Sequence, residues 1–497
     1  MANIASQLEH LGTSERIIVR GAEKALTGAQ LHSACKKLAT SLTEQNIHTL
    51  ALHADNGPDW VIVDLACQMA DICLLPLPTF FSIGQLQHAL QETPVDAVIS
   101  DNPAIAGLFD HSIATQGTAG VDTLQLTLLD NSLPAALLPQ NTGKITYTSG
   151  STGTPKGVCL SNYQLLEQAA VLANAVNLKR PRHLCLLPLS TLLENVAGVY
   201  TPLLAEGEVV VPSLRELGFC GSSSVDAGTM ARVISQYRPD SLILTPQLLL
   251  LLVAAADSGW TVPDSLRFVA VGGSRVSPSL LSRAWQVGLP AYEGYGLSEC
   301  ASVVSLNTAY SHLPGSCGRP LPHLGVRIVD GEVTVTGNPM LGYVNDPDSW
   351  GNQAIHTGDL GYLDADGFLH ISGRRKNLLI SSYGRNINPE WVESEFLANP
   401  ALAEIVVFGD ARPYCAALLC PRNREMDDTQ LQTLINDVNR RLPDYARVQR
   451  WAKLPAPLAT NPGLVTDNGR PRRSAIQSHY AALIAGLYDT DIQELSA

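Results

Sequence analysis

The stretch Tyr147–Leu160, "YTSGSTGTPKGVCL", packs three glycines, one proline, one lysine and six hydroxyl side chains into fourteen residues. Glycine lets backbone N–H groups converge on an anion, and hydroxyls and an ammonium add donors and charge. A nucleotide phosphate suits such a loop. A solvent-exposed turn has the same composition, so the stretch does not decide by itself. It is not the GxxxxGK[ST] pattern, because Lys156 follows Pro155 and precedes Gly157. A P-loop phosphotransferase also needs a strand–loop–helix context that is missing here.

The chain around this loop has 497 residues, more than one core accommodates, and calls for two or more domains. Hydrophobic residues make up 45% and charged residues 16%, a globular balance. The net charge of −13 disfavours nucleic acid as the main partner and leaves local anion sites open. "MANIASQLEHLG" has no basic region followed by an apolar run, a poor secretory signal. The most apolar stretch, Leu242–Ala256, is short for a membrane span and holds Thr245, Pro246 and Gln247; a buried strand, a turn and a core helix are expected. Ten cysteines form no CxxC pair, and neither Cys415/Cys420 nor Cys67/Cys73 has zinc spacing. Free thiols in a reducing cytoplasm are the expectation.

Residues 1–140 alternate between helix and strand patterns. "LTGAQLHSACKKLATSLTEQ" sets Leu31, Ala34, Cys35, Leu38 and Leu42 on one helical stripe. "TLALHA" and "DAVISD" read as strands, and "PDWVIVDLACQMADICLLPLP" as a helix running into a buried strand. This is the alternation of a parallel sheet with helices on both faces. "LRFVAVGGSRVSP" is a strand that stops at Gly272–Gly273, and "VRIVDGEVTVTG" predicts a hairpin turning at Asp330–Gly331. Beyond Arg374 the pattern becomes a smaller unit, with "EIVVFGD", "CAALLCP" and "TQLQTLINDVNRRL". A boundary near Lys376 divides the chain into domains 1–375 and 376–497.

Three further stretches follow the loop in order: "EGYGLSE" at 293–299, "GSCGRPLP" at 315–322 and "HTGDLGYLDADGFLHISGRRKNLLISSYGRNINPEWVE" at 356–393. With the loop they resemble the acyl-adenylate-forming, or AMP-binding, superfamily, which includes acyl-CoA synthetases, adenylation domains of peptide synthetases and beetle luciferases. The resemblance covers essentially the whole chain. Each motif alone is moderately specific; their common order carries the likeness. Within the family, "NPALAEIVVFGDARPYCAALLCP" and "LPDYARVQRW" look most like fatty acyl-CoA synthetases. The resemblance implies an α/β fold: a large N-terminal AMP-binding domain of mixed and parallel sheets with helices and a small β-barrel-like part, then a smaller, mobile α+β domain.

It also implies a two-step reaction. A carboxylate attacks the α-phosphate of ATP, and a thiol then displaces AMP from the acyl-adenylate. By the same likeness Thr148, Ser149, Gly150, Ser151, Thr152, Gly153 and Lys156 cradle the β- and γ-phosphates. Gly272, Gly273 and Ser274 form the turn beside adenine and the acyl group. Tyr295 stacks on adenine beside Gly296 and Ser298. Thr148 and Glu299 hold Mg²⁺, Asp359 and Arg374 hold the ribose, and Lys376 is the hinge. A carboxylate suits two neighbouring hydroxyls because, ionised, it only accepts. Each residue has a plain alternative: a core aromatic for Tyr295, a turn residue for Asp359, surface charges for Glu299, Arg374 and Lys376. His356 fits packing as well as function.

Two departures from the family pattern stand out. Its last motif supplies a lysine from the small domain; in "TDNGRPRRSAI" that position holds Arg470, a planar fork on a different stem. Such an exchange threatens the adenylating half and not directly the thioester-forming half. In "LLPLSTLLENVAG", Thr191 stands where fatty acyl relatives often carry histidine. No aspartate occurs between Arg182 and Glu208 to pair an α-ammonium, so a fatty or aromatic acid is expected rather than an amino acid. Residues 436–473 hold eight Lys/Arg against three Asp. That cluster is either a solvated face or an attractor for an anionic acceptor, coenzyme A or an acyl carrier protein. A degenerate nucleotide-binding homologue is the competing reading, and Arg470 is its support.

Overall fold

The computed structural model describes residues 4–108, 112–129, 136–148, 155–220, 224–461, 463–466 and 470–488. Two large sheets organise the first three-quarters of them. One has eight strands, in the order Gly342–Tyr343, Lys156–Leu160, Lys144–Thr148, Cys73–Pro76, Thr49–His53, Ala97–Ser100, Gln125–Leu129 and Ser112–Gly117. Its centre is parallel and its edges are antiparallel. The expected parallel alternation therefore holds only where helical crossovers join the strands; hairpins close both flanks. The other has nine strands, with Ala291–Tyr295, Phe268–Val271, Ser241–Leu244, Arg182–Leu184 and Glu208–Val210 as its parallel middle.

Strands of the parallel middles are buried along their length, as sheets covered on both faces require. Helix Pro58–Met69 shows why its sequence lacks a polar stripe: Asp59 to Gln68 are all buried, in a core cluster shared with both sheets. The apolar run at 242 resolves into strand Ser241–Leu244, a Thr245 N-cap and helix Pro246–Asp257. Among the described residues no helix is long and apolar enough to cross a membrane.

A four-stranded antiparallel sheet, from Gly325–Val329 through Leu369–Arg374, forms the small β part. Asp330 and Gly331 make its first turn with φ of 50° and 78°, the paired positive values that a two-residue hairpin favours. Beyond Lys376, strands Leu402–Phe408, Cys415–Pro421 and Val448–Lys453 pack with helices Pro389–Leu397 and Asp428–Asn439 around a separate core. All ten cysteines are free.

Candidate active site

Strands Lys144–Thr148 and Lys156–Leu160 pair with Thr148 opposite Lys156, so both ends of the glycine-rich loop meet at one edge. Ser149, Gly150, Ser151, Thr152 and Gly153 lie outside the described residues. Lys156 is exposed, and its ammonium stands 4.7 Å from the ring centroid of Tyr343. The Tyr343 hydroxyl donates to Glu299 Oε1 at 3.0 Å. Burial, reinforced by Glu299, raises the tyrosine's pKa and keeps it a donor.

Glu299 sits in the single turn Ser298–Cys300, just past strand Ala291–Tyr295. The chain doubles back there. Ala301 and Ser302 take positive φ of 53° and 99°, and the Val304 N–H returns to the Tyr295 carbonyl at 2.8 Å. Gly296 packs on the Ser302 carbonyl, where any Cβ would collide. Ser298 opens the turn, its carbonyl accepting the Ala301 N–H at 3.1 Å. The "EGYGLSE" glycine is thus required by the turn that presents Glu299.

The Tyr295 hydroxyl donates to Asp359 Oδ2 at 2.7 Å, and Arg374 Nε donates to Oδ1 at 3.0 Å. Asp359 and Arg374 are cross-strand partners in the small sheet, so the ladder register sets the pair. Asp359 is only 5% exposed, whereas Arg374 reaches solvent. His356 contacts Thr334 at 3.4 Å and faces out.

Strand Phe268–Val271 ends in the turn Gly272–Ser274. The Gly272 N–H reaches the Leu244 carbonyl at 3.0 Å, and Gly273 has φ +86°. Arg470 of the small domain donates its guanidinium to the Gly273 carbonyl. Two hydrogen bonds between Thr466 and the Arg470 backbone, at 2.7 and 3.0 Å, hold it there. Arg470 also interacts electrostatically with Arg374 and Asp359. Lys376 lies exposed in the link Arg375–Asn377, where the Asn377 amide donates to Glu390 at 2.5 Å. The structure therefore brings Tyr295, Asp359, Arg374, Gly273 and Arg470 together, and Lys156 with Glu299.

An apolar cavity of about 60 Å³ runs between the second sheet and the helices above it. Phe268, Ala270, Ile243, Leu193, Ala197 and Val303 are among its walls. Leu193 also comes within 3.9 Å of where a Gly272 Cβ would be, so one wall residue of the cavity packs near the turn that Arg470 contacts. Its floor carries His183, whose Nδ1 meets Ser241 Oγ at 2.9 Å and whose Nε2 meets Glu194 Oε1 at 3.0 Å. Glu194 Oε2 accepts the Leu187 N–H at 3.1 Å. Cys185 lies near, but every nitrogen and oxygen of this group already has a partner, and it reads as a satisfied polar core.

Three features escape sequence reasoning. Tyr343 has no motif that announces its reach to Glu299. Lys144 Nζ is buried with Asp64 Oδ1 and the Tyr200 hydroxyl at 2.6 Å each and with Asn195 Oδ1, far apart in sequence. Glu293 is buried with the Cys317 thiol donating to its Oε1 at 3.8 Å; burial lifts its pKa to about 7, with Arg275 opposing. Lysine and glutamate in strand patterns were the only signals.

A family model described as AMP-binding enzyme matches residues 9–344, and one described as AMP-binding enzyme C-terminal domain matches residues 376–491. The chain belongs to the AMP-binding enzyme family. This AMP-binding enzyme is 30% identical over 430 residues to a 2-succinylbenzoate–CoA ligase of Bacillus velezensis, covering 81% of this chain and 83% of that protein. A long-chain-fatty-acid–CoA ligase of Mycobacterium bovis is 23% identical, covering 87% and 86%. The solved o-succinylbenzoate CoA synthetase of Bacillus subtilis with its acyl-adenylate superposes with a TM-score of 0.76 at 23% identity, over 96% of this chain and 98% of that one. At that identity the likeness speaks for the fold.

Proposed function

We propose that this AMP-binding enzyme activates an apolar carboxylic acid, fatty or aromatic, as its acyl-adenylate and passes the acyl group to the thiol of coenzyme A. The contact of Arg470 with Gly273 carries the reading. It sets a cation of the small domain at the Gly272–Ser274 turn, within electrostatic reach of Asp359 and Arg374. Carboxylate and α-phosphate, two anions, have to meet at such a place, and fixed positive charge is what their approach needs.

In the first step a carboxylate oxygen bonds to the α-phosphorus as pyrophosphate leaves. With an acid pKa of about 4 the nucleophile is already ionised at pH 7, so no general base is required. In the second step sulfur bonds to the acyl carbon, AMP leaves, and the thiol proton passes to solvent. Lys156 and the loop from Thr148 through Ser149, Gly150, Ser151, Thr152 and Gly153 hold the outer phosphates. The Thr148 hydroxyl and Glu299 carboxylate are hard oxygen donors that fit Mg²⁺, which when bound offsets phosphate charge. Tyr295, with Gly272, Gly273, Ser274, Gly296 and Ser298, lines the adenine side. Asp359 and Arg374 take the ribose. Lys376 is the hinge between domains 1–375 and 376–497, and turning about it would withdraw Arg470 for thioester formation.

The relatives named for 2-succinylbenzoate and for long-chain fatty acids differ in their acids, and the apolar walls at Phe268, Ala270 and Val303 favour an acid with an apolar body. The test is pyrophosphate release from Mg²⁺–ATP against fatty and aryl acids, with coenzyme A, with a phosphopantetheinylated carrier protein, or with neither. Acid-dependent release is expected, with thioester formed on coenzyme A. ATP binding without release from any acid, in wild type and in Arg470→Lys, would support the binding-homologue reading that Arg470 raises. Release gained only in Arg470→Lys would assign the defect to the arginine.

A further inference from the structure

We propose that Tyr343 is a positioning residue for the phosphate–metal end of the cleft: its hydroxyl orients the Glu299 carboxylate, and its ring face stations the Lys156 ammonium. The inference rests on the function reading above. Both contacts come from one side chain, 3.0 Å from hydroxyl to Glu299 Oε1 and 4.7 Å from Lys156 Nζ to the ring centroid.

The ring is set on a rigid base. Tyr343 pairs with Val158, two residues beyond Lys156, as an added strand of the eight-stranded sheet. Its N–H donates to Ser349 Oγ at 2.8 Å, and its carbonyl accepts Trp350 Nε1 at 2.9 Å. Trp350 fills the place where a Gly342 Cβ would stand, and Gly342 has φ +148°. The Val344 N–H bonds the Gly157 carbonyl at 2.9 Å, and Gly157 itself has no room for a Cβ against Val344. The same segment fixes the Glu299 backbone, since the Met340 N–H reaches the Glu299 carbonyl at 2.7 Å.

The chemistry follows from charge. An ammonium and a carboxylate sharing a half-open cleft attract each other, and a direct ion pair would have to break before either met a phosphate or a metal ion. A neutral tyrosine offers each a weaker partner of the right kind, a donor for the carboxylate and a π-face for the ammonium. Both charges stay placed and remain available.

Two substitutions separate the roles. Tyr343→Phe keeps the ring and deletes the donor; Tyr343→Leu deletes both. Calorimetric titration of ATP at a series of Mg²⁺ concentrations, without acid, reads binding rather than turnover. Tyr343→Phe is expected to raise the Mg²⁺ needed for half-saturation about tenfold, a charged hydrogen bond's share, with ATP affinity at saturating Mg²⁺ changed less than about twofold. Tyr343→Leu is expected to weaken ATP about threefold at saturating Mg²⁺ as well. In a Glu299→Ala background, which removes the acceptor, Tyr343→Phe should add nothing, whereas a merely structural tyrosine would add its full effect. Unchanged Mg²⁺ dependence in Tyr343→Phe, or an undiminished effect in Glu299→Ala, would overturn the proposal. Wild-type silence in pyrophosphate release with this Mg²⁺ pattern intact would sink the function reading alone. Turnover by wild type with no Mg²⁺ shift in Tyr343→Phe would sink Tyr343 alone, and failure of wild type to bind Mg²⁺–ATP would sink both.

Discussion

One hairpin carries two lysines into opposite fates. Lys144 stands opposite Leu160 at one end of the ladder, and Lys156 stands opposite Thr148 at the other. Each meets a tyrosine, and each cluster contains a carboxylate: Tyr200 and Asp64 for Lys144, Tyr343 and Glu299 for Lys156. At the first end everything is buried; Lys144 is 1% exposed and Asp64 fully covered. The Asn195 amide and Tyr200 hydroxyl both donate to Asp64 Oδ2, at 2.8 and 2.6 Å, so the ion pair's remaining capacity is used. Burial lowers the lysine's pKa and Asp64 works against that. At the second end Lys156 reaches solvent and its contact is with a ring face. The same three residue types, lysine, tyrosine and carboxylate, make a fastener where water is excluded and a solvent-facing cluster where it is not. The fastener ties helix Pro58–Met69 to the hairpin and to the π-helix Glu194–Tyr200, which borders the cavity. A π-helical turn leaves the regular bonding pattern, which is where functional sites often place one.

Substitutions at the two ends are expected to split stability from activity. Lys144→Met would strand Asp64 in the core, with an expected loss of about 3–5 kcal/mol of stability, read by denaturant unfolding. An unchanged unfolding midpoint would break the comparison. Lys156→Met is expected to cut acid-dependent pyrophosphate release by about 10²–10³-fold, a loss of phosphate stabilisation. Its unfolding free energy should move by less than about 0.5 kcal/mol, as for other surface changes. Arg470→Ala sharpens the contrast between the two half-reactions. Adenylation should fall by about 10–10²-fold, the scale of one lost charged contact, while thioester formation from a synthetic acyl-adenylate stays within about twofold.

The smallest effect tests burial without a fastener. Glu293 has a raised pKa, about 7 in the fold against 4.5 for the ordinary group. The folded state therefore holds a proton that the unfolded chain has released, and this group's contribution falls as pH rises from about 5 to 7. Glu293→Gln removes that slope. Its stability relative to wild type is expected to rise by on the order of 2 kcal/mol between pH 5 and pH 8, measured by unfolding at each pH. A constant difference across that range would mean that Arg275 and Cys317 hold the carboxylate better than burial alone allows.

Much of the fold was legible because period and punctuation agreed. Thr245–Pro246 divides the apolar run at 242 into strand and helix, and Asp330–Gly331 has the turn chemistry its hairpin uses. The antiparallel flanks of the first sheet were not legible, since buried strands of either direction read as the same apolar run. Within the cleft, Asp359 and Arg374 stood in one motif, but their pairing is a matter of ladder register.

The order of the motifs, the family they point to, the two-part division it suggests and the substitution of Arg470 for a lysine are all readable along the chain. These depend on residue type and spacing along the chain. Burial of Lys144 and exposure of Lys156, the contact of Tyr343 with both Lys156 and Glu299, and the reach of Arg470 to Gly273 across 197 positions emerge only in three dimensions. Those outcomes turn on burial and on contacts between distant segments, and a charged group's role depends on the water around it more than on its neighbours in sequence.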